Sequence, residues 1–429
     1  MMNKKRIQYI STVKGIIVLC CIAVIVTIGS YIVLSKPDDG SEIDVFLESL
    51  VGDPSDSDIR IRQIGVDGAK PIQWNSHPHL SVIVENRLYS ELKQAIIRYC
   101  LDIEKAGESV ALYLFDGGTA AGLRQFLQLR NQSGLQGAFF IGSLPLAWFY
   151  TGHCPLMEPV SERFPSDVYF MDLDGIFEDL DGDSVLDSHK GDLSPEIWIS
   201  RLNASGLSGT EQKEIDFLKN YFDKVRRYRS GDLALPQRSI AIVSAEKHDK
   251  LNFDGTAFDE VLFADNSDIR YRFFKKLREG YELVQIAANG SPYQHIFNSD
   301  FQNHSIAWED ILISDPAGFF FLMGGPAVLR YTSENNIAKC HIFGKSNGLV
   351  AAGSTKGSRW ISFQRLIDRL NRGDNFGFAF KHWLSEQILT HSGNTCVYGG
   401  YAMIGDPMLQ LQRFQRNGFS LMDKKNKIR

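Results

Sequence analysis

Residues 80–142 read LSVIVENRLYSELKQAIIRYCLDIEKAGESVALYLFDGGTAAGLRQFLQLRNQSGLQGAFFIG, and the alternation within them indicates the fold class. Short runs rich in β-branched and aromatic residues predict strands, and the segments between them carry apolar residues at helical spacing. The predicted strands are 80–85, 109–115 and 137–142, and the predicted helices are 88–103 and 119–132. A β-α-β-α-β series of this kind favours a parallel sheet covered by helices.

The same alternation continues along the rest of the chain. Further strands are predicted at 196–202, 239–244, 283–288, 319–323 and 349–352, and further helices at 210–229, 360–371 and 376–389. These strands are apolar throughout, which indicates burial on both faces of the sheet. We therefore expect an α/β fold with a doubly wound, mostly parallel sheet.

The amino-terminal segment 15–34, GIIVLCCIAVIVTIGSYIVL, contains no charged residue and has the length of a transmembrane helix. The charged residues that flank it are Lys4, Lys5, Arg6 and Lys14 before it and Asp38, Asp39 and Glu42 after it. The positive-inside rule then predicts a single-pass membrane protein with a cytoplasmic amino terminus and an extracytoplasmic main domain. A cleaved signal peptide is the alternative, although its apolar region usually spans only about 7–15 residues.

The composition limits the class of partner. The chain of 429 residues has a formal net charge of −5, and its basic residues are not clustered, so no nucleic-acid partner is expected. Residues 35–79 are rich in Asp, Ser, Gly and Pro, which predicts a stalk between the anchor and the folded domain.

The cysteines leave two interpretations open. Four of the six lie beyond the apolar segment, at Cys100, Cys154, Cys340 and Cys396. An extracytoplasmic domain can form disulfides from them, with three possible pairings, and free buried thiols are an equally good interpretation.

An acidic loop suggests a metal site. The carboxylates of Asp179, Asp181, Asp183 and Asp187 have the spacing of a calcium-binding loop, although the complete EF-hand pattern is not met. Residues that could complete the ligand shell are Asp172, Asp174, Glu178 and Asp192. We expect structural calcium here and no other cofactor. A solvated acidic turn is the alternative.

Four phrases in the chain resemble the gingipain-type cysteine peptidases. They are GAFFIGSLPLAWFY at 137–150, DVYFMDLDGIFEDLDGDSVLD with PEIWISRL within 167–202, GLVAAGSTK at 348–356 and IGDPML at 404–409. The resemblance implies a caspase-like fold, with a histidine and a nucleophilic cysteine that follow two successive strands. The resulting division is a cytoplasmic tail (1–14), an anchor (15–34), a stalk (35–79), a small α/β unit (80–150), a gingipain-like caspase-fold domain (151–414) and a polar tail (415–429).

This sequence departs from the family pattern at both catalytic positions. Asn289 follows the strand at 283–288, where the family has its histidine, and Pro326 follows the strand at 319–323, where it has its cysteine. An amide cannot act as a general base near neutral pH, and proline offers no nucleophile. The sequence therefore predicts a membrane-anchored, extracytoplasmic pseudo-peptidase that binds a protein or peptide without cleaving it.

Two alternatives remain open. A displaced catalytic dyad formed by Cys340 and His295 would make the chain an active cysteine peptidase. A cleft that is filled by side chains and has no convergent polar groups would instead indicate a structural surface protein.

Overall fold

A computed structural model describes residues 30–34, 42–49, 59–64, 79–152, 161–207, 210–244, 257–264, 268–297, 304–357, 361–391 and 393–412. The strands in chain order are β1 (Ser30–Leu34), β2 (Glu42–Ser49), β3 (Ile59–Ile64), β4 (Leu80–Glu85), β5 (Val110–Phe115), β6 (Gly137–Ile141), β7 (Trp148–Thr151), β8 (Glu162–Pro165), β9 (Ile176–Glu178), β10 (Ser188–Lys190), β11 (Trp198–Leu202), β12 (Ser239–Ser244), β13 (Glu260–Ala264), β14 (Tyr281–Ala287), β15 (Asn289–Ser291), β16 (Gln294–Ile296), β17 (Ser305–Ala307), β18 (Gly318–Met323), β19 (Val350–Ser354) and β20 (Tyr401–Gly405).

The helices within the same residues flank the sheet or connect its strands. They are α1 (Asn86–Lys105), α2 (Ala120–Asn131), α3 (Val168–Met171), α4 (Glu211–Ser230), α5 (Ile269–Leu277), α6 (Trp308–Ser314), α7 (Ile337–Ile342), α8 (Gln364–Leu370), α9 (Phe376–Thr390) and α10 (Thr395–Tyr398).

One large sheet runs through the described part of the chain. It contains 13 strands in the order β1-β2-β3-β5-β4-β6-β11-β20-β19-β18-β14-β12-β13. Strands β4, β5, β6, β11 and β20 run in one direction, and β12, β13, β14, β18 and β19 run in the other. The two parallel blocks meet at the antiparallel pair β19–β20, in which Val350 faces Gly405. The prediction of a mostly parallel α/β sheet is therefore confirmed, although its two halves have opposite directions.

The apolar strands form the core, as their sequences predict. The strands β5, β6, β11, β14 and β18 are buried at every residue. Helix α1 buries Leu88, Leu92, Ile96 and Cys100, which its 3.6-residue period places on one face. Burial of this continuous core against both faces of the sheet supplies the main driving force for folding.

The ends of the long helix α4 follow local sequence signals. The Thr210 side chain accepts a hydrogen bond from the backbone N–H of Lys213 and so caps the amino terminus. Gly231 ends the helix with φ of 81°, a left-handed conformation that glycine adopts without steric cost. These two signals explain why the helix predicted at 210–229 is found within one residue of its expected bounds.

The structure corrects the prediction of a stalk over residues 35–79. Strands β2 and β3 lie within this range, and β3 pairs with β5 at the edge of the large sheet. In β3, Ile59 and Ile61 are buried while Arg60 is exposed, a period of two that is typical of a half-buried strand. Much of the predicted stalk is therefore part of the folded domain.

The predicted anchor over 15–34 lies mostly outside the described residues. Its last five residues, Ser30–Leu34, form strand β1 and pair with β2, so this end of the segment is extended and not helical. No helix within the described residues is long and apolar enough to span a membrane. The predicted tails 1–14 and 415–429 also lie outside the described residues.

The predicted boundary between the small and large units, at residues 150 and 151, falls inside strand β7. Strands from the two sides of this boundary pair directly, because Phe139 of β6 faces Ser200 of β11 in a parallel ladder. The two predicted units therefore share one continuous sheet.

Candidate functional site

The two candidate positions, Asn289 and Pro326, lie at the ends of neighbouring strands. Strands β14 and β18 are parallel, and Ile286 faces Met323 near their carboxyl ends. Asn289 begins β15 two residues after β14 ends, and Pro326 follows β18 by three residues. Because parallel strands end at the same edge of a sheet, the fold brings these two positions together, as the sequence predicts.

Three glycines let the backbone at these strand ends pack closely. A β-carbon added to Gly290 would lie 2.7 Å from Cγ1 of Val328, and one added to Gly325 would lie 2.8 Å from the same atom. A β-carbon on Gly353, at the end of β19, would lie 3.4 Å from Cγ2 of this valine. The fully buried Val328 side chain therefore fills the floor between the two strand ends.

Two backbone N–H groups near Pro326 donate to carbonyls within the fold. The N–H of Gly324 donates to the carbonyl of Ile286 (2.9 Å), and the N–H of Ala327 donates to the carbonyl of Lys356 (2.7 Å). Pro326 has no N–H at all. A peptidase needs free N–H donors to stabilise an oxyanion, and these two amides are already used within the fold.

Ala327 holds a strained conformation directly after Pro326. Its φ of 53° lies in the left-handed region, which costs a residue with a β-carbon on the order of 1–3 kcal/mol. Such strain persists only where the surrounding structure fixes it, and it is common at active sites. A strained backbone turn thus lies directly beside Pro326.

Cys340 and His295, the residues of the possible displaced dyad, do not form a Cys–His pair in this structure. The Nε2 atom of His295 is hydrogen-bonded to Nε2 of His341 at 3.2 Å. The Sγ atom of Cys340 instead contacts the carbonyl oxygen of Asn335 at 3.8 Å. Cys340 and His295 are both buried.

Burial also shifts the pKa values of Cys340 and His295 in directions that disfavour catalysis. Desolvation raises the pKa of the Cys340 thiol to about 12, so it is not a thiolate near neutral pH. Desolvation lowers the pKa of His295 to about 3. The geometry and the protonation states therefore both disfavour an active displaced dyad.

Within the described residues, the cysteines form no disulfide. Cys100 and Cys340 are buried free thiols, and Cys396 is a half-buried free thiol. Cys154 lies outside the described residues. Of the two sequence-based interpretations, free thiols hold for these three cysteines.

A second polar cluster links the Pro326 turn to the hairpin β7–β8. Arg330 forms an ion pair with Glu162 at 2.9 Å and donates to the carbonyl of Arg163. The Arg163 side chain in turn pairs with Asp183 of the acidic loop. These contacts place the acidic loop next to the candidate site, which the sequence did not predict.

The structure brings together three of the four predicted calcium ligands. Carboxylate oxygens of Asp179, Asp181 and Asp187 lie within 4.8 Å of one another. The Asp179 carboxylate accepts hydrogen bonds from the N–H groups of Gly182 (2.7 Å) and Ser184 (2.8 Å), which fix its orientation. Asp183 does not belong to this group, and its carboxylate pairs with the guanidinium of Arg163.

A second group of carboxylates comprises Asp172, Asp174 and Glu196. Asp172 is already bound to Nε2 of His189 at 2.6 Å and to the N–H of Gly175 at 2.6 Å. Asp172 is therefore less available to a cation than the carboxylates of the loop 179–187.

If the loop binds calcium, the ion will stabilise the folded state, because it binds no comparable group in the unfolded chain. At a calcium concentration about 100-fold above Kd the gain is about 2.7 kcal/mol. We expect the Tm of the full chain to rise with calcium, and the rise to disappear in Asp179→Asn. Asp183→Asn is the matched control and should keep the rise, because Asp183 does not face the other carboxylates. No calcium-dependent change in Tm would contradict the prediction.

Sequence reasoning missed a buried ion pair near the Pro326 turn. The Arg201 guanidinium donates through Nε to Asp167 at 2.8 Å, and the Tyr331 hydroxyl donates to the same carboxylate oxygen at 3.0 Å. The rings of Phe140, Phe170 and Tyr331 surround the guanidinium at 5.1–5.6 Å. An arginine inside an otherwise apolar strand was the signal that could have revealed it.

The large, mostly parallel sheet, with the two candidate positions at neighbouring strand ends, defines a caspase-like α/β fold. Among solved structures, the chain is similar to the complex of the pro- and mature domains of gingipain RgpB from Porphyromonas gingivalis. The TM-score is 0.53, with 12% identity over 78% of this chain and 79% of that chain. The gingipain-like fold expected from the sequence is therefore confirmed.

A weaker similarity is found to dimeric latent PorU from the same organism. The TM-score is 0.34, with 12% identity, and the match covers 78% of this chain and 30% of PorU. Neither a protein-family model nor a curated protein sequence matches this chain.

Proposed function

We propose that this chain is a gingipain-like pseudo-peptidase, a domain that binds a protein or peptide without hydrolysing it. The observation that carries the proposal is the placement of Asn289 and Pro326 at the ends of the neighbouring strands β14 and β18. An active relative needs a base and a nucleophile at these two points. Here one position has an amide and the other has no nucleophilic or N–H group.

Cys340 and His295 do not take over the missing roles. The thiol of Cys340 is buried, and its high pKa keeps it protonated near neutral pH. The imidazole of His295 is bound to His341 and not to a sulfur atom. The buried residues thus support a loss of peptidase chemistry over a displaced active site.

A binding role is supported by the groups that remain accessible. Asn289, Ser291 and Pro326 are half-buried, and the Tyr293 side chain in the adjacent turn is 49% exposed. An asparagine amide both donates and accepts hydrogen bonds, so it can pair with a peptide backbone without transferring a proton. Exposed tyrosine is enriched where proteins bind partners.

The test combines a cleavage assay with a binding assay on the purified full chain. We expect no turnover of a fluorogenic peptide library and no labelling by thiol-reactive peptide probes. Labelling or cleavage that is lost in Cys340→Ser or Cys396→Ser would overturn the proposal.

The binding assay uses the same library, read by fluorescence polarisation. Peptides retained by the wild-type chain should bind roughly 5–30-fold more weakly to Tyr293→Ala, the loss typical of an interface anchor. Tyr271→Ala is the matched control, since Tyr271 is 65% exposed on α5 and distant in sequence from both strand ends. A library from which nothing binds would contradict the binding half of the proposal.

We also propose that the apolar residues before strand β1, at 15–29, belong to a single-pass anchor that holds this domain outside the cytoplasm. The support is the charge asymmetry around that segment, with basic residues before it and acidic residues after it. Release of the full chain from membranes by alkaline extraction would count against the anchor.

A further inference from the structure

The two candidate strand ends belong to separate local structures, which are joined by packing around Val328 and by polar contacts. Asn289 lies in the small sheet β15–β16–β17, and Pro326 lies in the turn that leads to helix α7. The buried Asn336 side chain donates to the carbonyls of both Pro292 (3.2 Å) and Val328 (3.0 Å). The N–H of Ile337 adds one further bond to Pro292 at 2.7 Å.

A buried pair of histidines makes a further polar contact between the small sheet and α7. His295 is on β16 and His341 is on α7, and their Nε2 atoms are 3.2 Å apart. A hydrogen bond between two imidazole nitrogens requires one donor and one acceptor, so the Nε2 atom of one ring carries the shared proton and the Nε2 atom of the other ring does not. The Nδ1 atom of His341 is buried without a partner. A bare lone pair costs less there than an orphaned N–H, so we assign the shared proton to His341.

Few ionisable groups surround this pair. The titratable and charged residues on the adjoining elements are His304 before β17, Glu309 and Asp310 on α6, and Lys339 and Cys340 on α7. Asp310 pairs with Arg270, and Lys339 donates to the carbonyl of Ser205. Strand β18 contributes the ring of Phe321, whose centroid is 4.4 Å from that of His341. Within the described residues, no carboxylate is hydrogen-bonded to either imidazole to stabilise a positive charge.

We propose that the His295–His341 contact is an acid-sensitive latch, which holds the Asn289 hairpin against α7 and releases it when the two imidazoles become protonated. Two imidazolium rings would point N–H donors at each other and repel as like charges. Release would separate β15–β17 from the Pro326 turn and expose the crevice between the two strand ends. The inference rests on the packing of these elements and not on the proposed peptide binding.

The direction of the pH effect follows from burial. Desolvation lowers the pKa of His295 to about 3 in the closed state, and desolvation together with the neighbouring His295 lowers that of His341 well below its usual range. Once released, each ring returns towards the ordinary value near 6.5 and takes up a proton. Below that pH each histidine therefore raises the open-to-closed ratio about tenfold per pH unit, which is about 100-fold per unit for the pair. Above about pH 7 the latch remains closed.

Amide hydrogen exchange on the full chain tests the latch. Between pH 6.5 and 5.5, after correction for intrinsic rates, exchange of the Ile337 amide and of the β16–β17 ladder should rise by about 30-fold, since an open-state pKa near 6.5 gives about 5.5-fold for each histidine over this interval. Amides of the β4–β5 pair serve as an internal reference and should not change in step. In the double variant His295→Gln, His341→Gln the additional acid dependence should disappear, because glutamine does not titrate. His79→Gln is the matched control, since the His79 side chain is 45% exposed.

Two results would overturn the inference. One is acid-independent protection of β15–β17 relative to the β4–β5 reference. The other is an unchanged acid dependence in the double variant. If that variant does not fold, exchange in the wild-type chain decides the question, because a general acid effect would raise the reference amides equally and so contradict a local latch.

Discussion

Replacement of Asp406 by alanine is expected to destabilise the fold by about 3–5 kcal/mol. Asp406 is completely buried at the end of β20, and its carboxylate binds the guanidinium of Arg229 at 2.6 Å and the hydroxyl of Tyr99 at 2.8 Å. Its Oδ1 atom also accepts from the N–H of Met408 at 2.9 Å. The alanine variant would leave the buried Arg229 cation without a counter-charge, and this uncompensated charge dominates the cost.

Denaturant unfolding of the full chain, followed by far-ultraviolet circular dichroism, measures this loss. Asp223→Ala is the matched control, because it removes the partner of Arg226 from an ion pair on the same helix at 2.9 Å. The side chains of that pair are 43% and 48% exposed, so its loss should cost only about 0–1 kcal/mol. Equal losses in the two variants would show that burial does not govern the Asp406 pair.

Replacement of Asp167 by alanine is expected to cost a similar 3–5 kcal/mol and to loosen the turn that follows Pro326. Asp167 is completely buried and is the counter-ion of Arg201, whose guanidinium also donates to the carbonyl of Pro145 at 3.1 Å. Asp167 is also the acceptor for Tyr331, five residues after Pro326. Asp167→Asn should cost less, roughly 1.5–3 kcal/mol, since the amide keeps a hydrogen-bond acceptor but loses the charge.

Unfolding midpoints of Asp167→Ala, Asp167→Asn and Asp374→Ala provide the comparison. Asp374 pairs with Arg369 at 3.0 Å, but these side chains remain 25% and 29% exposed, so solvent can compensate for its removal. Hydrogen exchange should show that the Tyr331 turn becomes less protected in Asp167→Ala alone. A loss no larger than that of Asp374→Ala would contradict the prediction.

The elements that were predicted correctly are those in which a local pattern and burial agree. Strands such as Ser239–Ser244 are apolar throughout, and helix α4 has a capping threonine, a regular apolar face and a terminal glycine. Each of these features can be read within a window shorter than the element itself. Strand β3 was missed because its alternation of isoleucine with polar residues lies among loop-forming residues, so it resembled a linker.

The position of the candidate site also followed from sequence, since Asn289 and Pro326 each come directly after an apolar strand. Their proximity needed only the expectation that the two strands are parallel neighbours, which the register of Ile286 with Met323 bears out. The hydrogen-bond partners of His295 and Cys340 could not be predicted from the sequence. His295 meets His341 and not Cys340 because α7 crosses over the sheet, and one residue of helical rotation decides which side chain faces β16.

In the acidic loop, too, the sequence predicted which carboxylates are close together but not the contact with a distant residue. The spacing of Asp179, Asp181 and Asp187 within one turn was enough to predict that their carboxylates converge. Asp183 has the same spacing, yet it pairs with Arg163, which is 20 residues earlier in the chain and belongs to the hairpin β7–β8. The Arg163 guanidinium, from a different element, binds the Asp183 carboxylate, and the spacing of the aspartates within the loop cannot predict this contact.

The amino-acid order alone predicted the α/β class and the positions of the long helices and of the apolar strands. These properties depend on side-chain chemistry and on short-range periodicity, which can be recognised within a few consecutive residues. The opposite directions of the two parallel blocks, the buried pairs Arg229–Asp406 and Arg201–Asp167, and the contact of His295 with His341 emerged only from the folded chain. Each joins residues far apart in sequence, and which of them meet is decided by the joint packing of many elements around one core.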